Sequence, residues 1–239
     1  MKHLTVIFAA LMLLAAGCAQ PMKLSAQRWG ALRADGTVVP AYIVTDTTLP
    51  PDSYEALAIC VTPLGSDPLD SLEALAGACA AGCKLLLTQA HVTIPDDQLL
   101  VLRQYLESVS QKPRSVLVIS LGSGAIVATS LAIAEPRVTH VVLLGPREYR
   151  PDVRQPTFVA RIGPRGRRDL PPNFTTRDYP ESDQHWRELD TGRTIRPLVE
   201  MDVIAWLTDT GALTNERAKR LAKRVKANHP EWYSSRSDE

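Results

Sequence analysis

One stretch constrains the fold more than any other: Ser115 to Pro146, SVLVISLGSGAIVATSLAIAEPRVTHVVLLGP. It opens with an apolar, β-branched run from Ser115 to Ile119 and turns at Ser120-Leu121-Gly122-Ser123-Gly124. A helix-like run of small residues, Ala125 to Ala134, follows and stops at Pro136. A second apolar run covers Val138 to Leu144. Two short apolar runs with a helix between them read as a βαβ unit of a parallel sheet. The absence of polar alternation means that both faces of that sheet are covered.

The rest of the chain repeats this unit. Strands are predicted over 27–32 and 37–45, joined at the Asp35-Gly36 hairpin signal, and then over 56–62, 84–89, 156–162 and 174–179. Helices are predicted over 70–81, 95–110, 195–207 and 214–228, with Asp70 and Thr214 as candidate caps for the first and last. The alternation specifies an α/β chain with a doubly wound, mostly parallel sheet and helices on both faces, as one domain over 27–210. No interval between core strands is long enough for a sizeable cap domain. With 45% hydrophobic and 22% charged residues the chain can fill such a core and is not a disordered polymer. A formal net charge of +1, without a basic groove interleaved with aromatics, points away from nucleic acid.

The N-terminus reads as a targeting segment, residues 1–17. Lys2 and His3 form a polar head, and Leu4 to Ala16 is an apolar run too short to span a bilayer comfortably. It ends at Leu14-Ala15-Ala16-Gly17-Cys18, which resembles a bacterial lipobox. That resemblance implies cleavage before Cys18, diacylglycerol on its thiol, acyl chains such as palmitate, and a membrane anchor. Ala19, where the inner-membrane signal has aspartate, implies an outer-membrane protein of the cell envelope facing the periplasm. Residues 18–26 would then be a tether. Export would leave Cys60, Cys79 and Cys83 in an oxidising compartment, as one disulfide with a free thiol or as buried thiols. No metal is expected at Cys79 and Cys83, since no histidine lies near them to complete a tetrahedral set.

The segment 211–239 is set apart as a basic helix and tail. Over Thr214 to Asn228, Ala218, Leu221, Ala222 and Val225 form a narrow apolar stripe among Arg217, Lys219, Arg220, Lys223, Arg224 and Lys226. Two readings are open: contact with anionic lipid or an acidic envelope partner, or a wet helix docked through its stripe.

The candidate chemistry sits on the opening stretch. Val118-Ile119-Ser120-Leu121-Gly122, between a strand and a helix, resembles the Gly-x-Ser-x-Gly turn of the α/β-hydrolase superfamily, with valine at the first glycine. Asp178-Tyr179-Pro180, followed by His185-Trp186, resembles that family's last strand and histidine loop. The resemblance implies a serine hydrolase of esterase type acting on an acyl ester, without cofactor. Ser120 would be the nucleophile, His185 the base and Asp169 the acid. It further implies an oxyanion hole from the amides of Leu121 and of Leu64 or Gly65. Ser123 is the alternative nucleophile, and Glu148 or Asp152 the alternative acid. The valine, the loop at Gly166 where the acid is expected, and the absence of a His-Gly pair after residue 62 favour a second reading. That reading is a degenerate hydrolase-fold lipoprotein acting as a binding or scaffold protein. A dinucleotide site is excluded, since Gly122 and Gly124 are followed by Val127 and no Gly-x-Gly-x-x-Gly forms.

Overall fold

The computed structural model describes residues 23–50, 53–63, 65–89, 95–163, 170–180, 182, 186, 187, 189 and 194–228. The targeting segment 1–17, Cys18, Leu64, Asp169, His185 and the tail beyond Asn228 lie outside the described residues. Eight strands form one sheet: β1 Leu24–Leu32, β2 Val38–Asp46, β3 Ala56–Thr62, β4 Cys83–Gln89, β5 Ser115–Leu121, β6 His140–Leu144, β7 Thr157–Ile162 and β8 Phe174–Tyr179. Their order is β1-β2-β4-β3-β5-β6-β7-β8. The β1–β2 and β2–β4 pairs are antiparallel and every other pair is parallel.

Helices cover both faces because the central strands are apolar on both. On one face α1 Leu72–Ala80, α4 Arg196–Asp209 and α5 Glu216–Asn228 pack over Ala58, Cys60, Leu117, Ile119, Val142 and Phe158. On the other, α2 Asp96–Ser108 and α3 Ala125–Ala134 pack over Leu57, Ile59, Val61, Val118, Val141 and Leu143. The fold class is therefore as expected. Strands β3 and β8 and helix α3 match the expected spans. Two boundaries move in ways that matter. Strand β1 starts at Leu24, inside the span 18–26 expected to be a tether. Leu24 and Ala26 alternate with exposed Ser25 and Gln27 and pack against the core, which makes this edge a true strand. Strand β5 runs two residues past Ile119, through Ser120 to Leu121.

The caps also differ from expectation. Asp67 rather than Asp70 accepts the first bond, from the Leu69 N–H at 2.9 Å, because a short 3-10 turn over Pro68–Ser71 precedes α1. Asn215 rather than Thr214 caps α5, accepting the Ala218 N–H at 2.8 Å.

The helix α5 is not a detached tail. Ala218 and Ala222 are core residues at 0% and 5% exposure, and Leu221 packs beside them. The carboxylate of Glu55, just ahead of β3, holds its start. It accepts the backbone N–H groups of Thr214 at 2.8 Å and Asn215 at 3.0 Å, and the Thr214 hydroxyl at 3.1 Å. A negative charge at a helix N-terminus meets unpaired N–H groups and the positive end of the dipole. Burial pushes the Glu55 carboxyl up, but the bonds from Thr214 and Asn215 outweigh it and leave it below its ordinary value. The stabilisation is therefore present at neutral pH and lost as pH falls from about 4.5 through the lower folded-state value. Glu55→Ala should lower the unfolding free energy by about 1 kcal/mol at pH 7 and by much less near pH 3, read by urea unfolding at the two pH values. An equal loss at both would show that the charge does not act at the helix start.

Cys60, Cys79 and Cys83 are free thiols, each buried at 0% exposure. Burial raises all three, Cys79 to about 12, so they are inert apolar packing in the core under α1.

Candidate functional site

In a doubly wound sheet a reacting group stands at the carboxyl ends of the strands, on the turns into the helices. The turn after β5 lies wholly within the described residues. Leu121 is still extended at φ −115°, ψ 129°, and a 3-10 turn over Gly122–Gly124 leads into α3. Gly122 alone in this turn has positive φ, +53°. Gly124 is the close-approach residue: a Cβ there would lie 2.8 Å from the Val61 carbonyl oxygen. At Gly122 a Cβ would meet nothing nearer than Pro63 Cγ at 4.0 Å, so the position has room for a side chain and carries none.

Ser120 is therefore not on the turn. It is the sixth residue of β5, paired in register with Leu143 of β6 and Val61 of β3. The two-residue period puts its side chain on the face of Val116 and Val118, beneath α3. The residue is 0% exposed, and Oγ has no hydrogen-bond partner among the described residues. A serine that attacks a substrate must present Oγ at the end of the sheet on a strained turn, which Ser120 does not.

A shift of two residues in the reading frame accounts for the sequence. In Ser120-Leu121-Gly122-Ser123-Gly124 the outer small positions are Ser120 and Gly124, and the elbow position is Gly122. The amide that would follow the elbow is then that of Ser123 rather than of Leu121. Val118 is an ordinary core residue at 0% exposure, paired with Val141 and Ile59, and not an oversized replacement at the base of a turn. Gly122 is the residue that sequence reasoning missed. Two signals could have found it: the regular apolar pattern continuing through Leu121, and the awkward fit of valine at the first glycine.

The other expected groups fall as follows. Gly65, φ +78°, lies in the loop after β3, where Ser66 Oγ donates to the Pro63 carbonyl at 2.8 Å. This loop borders Gly122 through Pro63, so the two places from which an oxyanion hole would be assembled are neighbours. Leu64, Asp169 and His185 lie outside the described residues. Trp186, beside His185 in sequence, has φ +59° and packs edge-on to Tyr179 at 5.9 Å. It shares a small crevice with Leu144 at the carboxyl end of β6, so Trp186 itself stands at the same edge of the sheet as the turn. Asp152 is exposed and held by Arg150 at 2.6 Å, whose bonds pull the carboxyl below its usual value.

His140 is the one histidine among the described residues. It opens β6 at the far edge of the sheet, where burial lowers its ordinary value and Trp206 covers its ring edge-on at 5.6 Å. A cavity of about 390 Å³ also lies at that far edge, between Tyr54, Ala56, Lys84, Tyr105, Val109 and Pro113. Among the described residues no cluster of His, Cys, Asp or Glu could hold a metal, and no helix is long and apolar enough to cross a membrane.

No family model matches the chain, and no curated protein matches it in sequence. Solved structures do share its fold. AbyA5 superposes with a TM-score of 0.59 at 14% identity, over 87% of this chain and 72% of its own. Est1E from Butyrivibrio proteoclasticus gives 0.57 at 11% identity, over 78% of this chain and 99% of its own. The esterase domain of a Rhodothermus marinus protein gives 0.54 at 13% identity, over 77% and 98%. The eight-stranded, mostly parallel sheet with helices on both faces is thus an α/β-hydrolase fold.

The geometry makes a direct prediction for Ser120. A buried hydroxyl without a partner costs folding free energy that alanine does not. Ser120→Ala should leave the protein as stable or more stable, by about 1 kcal/mol or about 2–4 °C in Tm. A loss of stability in thermal unfolding would show that Oγ has a partner.

Proposed function

We propose that this chain is a lipid-anchored envelope protein whose α/β-hydrolase-fold domain binds a ligand or partner without cleaving it through Ser120. The observation that carries this reading is the turn after β5. A glycine with positive φ occupies the elbow, and the serine that fits the motif by sequence is buried in the strand. The likeness to esterase structures is a likeness of scaffold, and a scaffold catalyses only what its site residues allow. The retained turn, the adjoining loop at Pro63 and Gly65, and the return of the Trp186 segment to the same edge are what a binding cleft would use.

The second reading is a serine hydrolase acting on acyl esters. Ser123 favours it, since it follows the elbow and is only half-buried in the middle of the 3-10 turn. His185 as base and Asp169 as acid belong to this reading, as they do to the form that uses Ser120.

One experiment separates the readings. The purified mature chain, residues 18–239, is treated with a fluorophosphonate probe, which labels activated serines. No labelling is the expected result. Labelling that disappears in Ser123→Ala would establish the second reading, and labelling that disappears in Ser120→Ala would restore the serine of the sequence motif. The anchor is tested separately. Cells expressing the full chain should incorporate labelled palmitate, and Cys18→Ser should abolish it. Incorporation that survives the substitution would place the acyl chains elsewhere, and no incorporation in the unsubstituted chain would refute the anchor.

A further inference from the structure

The lower edge of the sheet, where the parallel strands begin, brings together Lys23, ahead of β1, and the start of α5. Lys23 is exposed, and its backbone N–H donates to an Asp46 carboxylate oxygen at 3.3 Å. Asp46 is fully buried at the end of β2, and its other oxygen lies 3.4 Å from Arg217 Nη2 in the first turn of α5. One carboxylate thus fixes both the point where the N-terminal segment enters the fold and the start of the basic helix. Five residues of chain lead from Cys18 to Lys23, which at about 3.6 Å each reach no more than about 18 Å. A lipid on Cys18 would therefore hold this edge, and α5 with it, at the membrane surface.

The chemistry of α5 suits that position. Lys219, Arg220 and Lys223 are exposed. The exposed carboxylate of the helix, Glu216, is taken up by Lys219 at 2.9 Å. The apolar stripe is already spent on the core through Ala218 and Ala222, so the helix has charge to offer to a surface but no face to insert. Polybasic segments beside a membrane are attracted by anionic headgroups, and the attraction fades beyond a Debye length. We propose that the solvent face of α5 docks on the anionic headgroups of the membrane in which the protein is anchored. The placement rests on the reading of Cys18 as acylated. An acidic protein would suit the same charges, but only the membrane is brought to this face by the short tether.

The test uses two arms so that the anchor and the docking face fail separately. In the first, the mature chain carrying Cys18→Ser is mixed with phosphatidylcholine vesicles, plain or with about one-third phosphatidylglycerol, at low salt and at about 0.5 M salt. Sedimentation with the anionic vesicles alone, lost in high salt, is expected. Replacing Lys219, Arg220 and Lys223 with glutamine should lower that partition by about 100-fold. Since all three are exposed, unfolding curves should show an intact fold. Undiminished binding by the triple variant, binding to plain vesicles, or sedimentation of the chain without vesicles as a self-associated species would each overturn the proposal. In the second arm the acylated chain is reconstituted in the same vesicles with a fluorophore on Ala227→Cys or on Arg147→Cys. Both positions are exposed, the first on α5 and the second beyond the carboxyl end of β6. A lipid-borne quencher should quench the first and spare the second. Equal quenching would overturn the orientation even if the acyl chain is on Cys18.

Discussion

The ladder that β5 makes with β3 and β6 sets everything else in this molecule. Each backbone group from Ser115 to Leu121 that faces a neighbour must be paired, and both faces of the strand must be dry. Pairing continues as far as Ser120 opposite Val61 and Leu121 opposite Leu144. The chain can turn only after that, and the first residue free to do so is Gly122. A serine two positions earlier is then a strand residue by necessity, whatever motif surrounds it. The location of the elbow follows from the length of the ladder, and the nature of the site follows from the elbow.

This explains which parts of the molecule were legible in its sequence. The run Ala56 to Thr62 and the small-residue run Ala125 to Ala134 are bounded by unambiguous punctuation, and their spans emerge from pattern alone. The end of β5 has no such punctuation. Leucine at 121 fits a strand, a turn or a helix start, and serine at 120 fits both a strand and a catalytic turn, so a motif template decides where hydrogen bonding should. The start of β1 was obscured for a related reason. An edge strand with one partner needs only alternate apolar residues, and Leu24 and Ala26 are too few to announce it. Local pattern alone does not place the cap of α5, because Thr214 and Asn215 are both good caps and the tertiary partner Glu55, far away in sequence, claims the first. Gly122, Asp46 and Glu55 all owe their roles to contacts that no local pattern encodes.

Two buried or half-buried carboxylates, Asp46 and Glu55, do similar work at neighbouring points of the lower edge. Each accepts backbone N–H groups from a distant segment, Asp46 from Lys23 (and from Thr48 in its own turn), Glu55 from Thr214 and Asn215. Carboxylates can do this because they offer several lone pairs and favour N–H donors over competing water when partly buried. The segments held in this way are the entry of the chain and its last helix. The start of β1 and the start of α5 are thus held at one edge of the sheet.

The separation of the two edges has a geometric consequence for the turn after β5. The seven residues of β3 set the lower edge and the turn beside Pro63 about 20 Å apart. If the chain is held ahead of Leu24, as proposed above, the pull falls on the edge opposite Gly122, and the turn after β5 faces away from the point of attachment. Such a protein would sample the aqueous space above a bilayer rather than the lipids beneath it. Its effective reach would be set by the diameter of its own sheet. On that proposal, ligands that are dissolved, or fixed to a neighbouring layer at that height, would reach the turn after β5 while the chain stays attached.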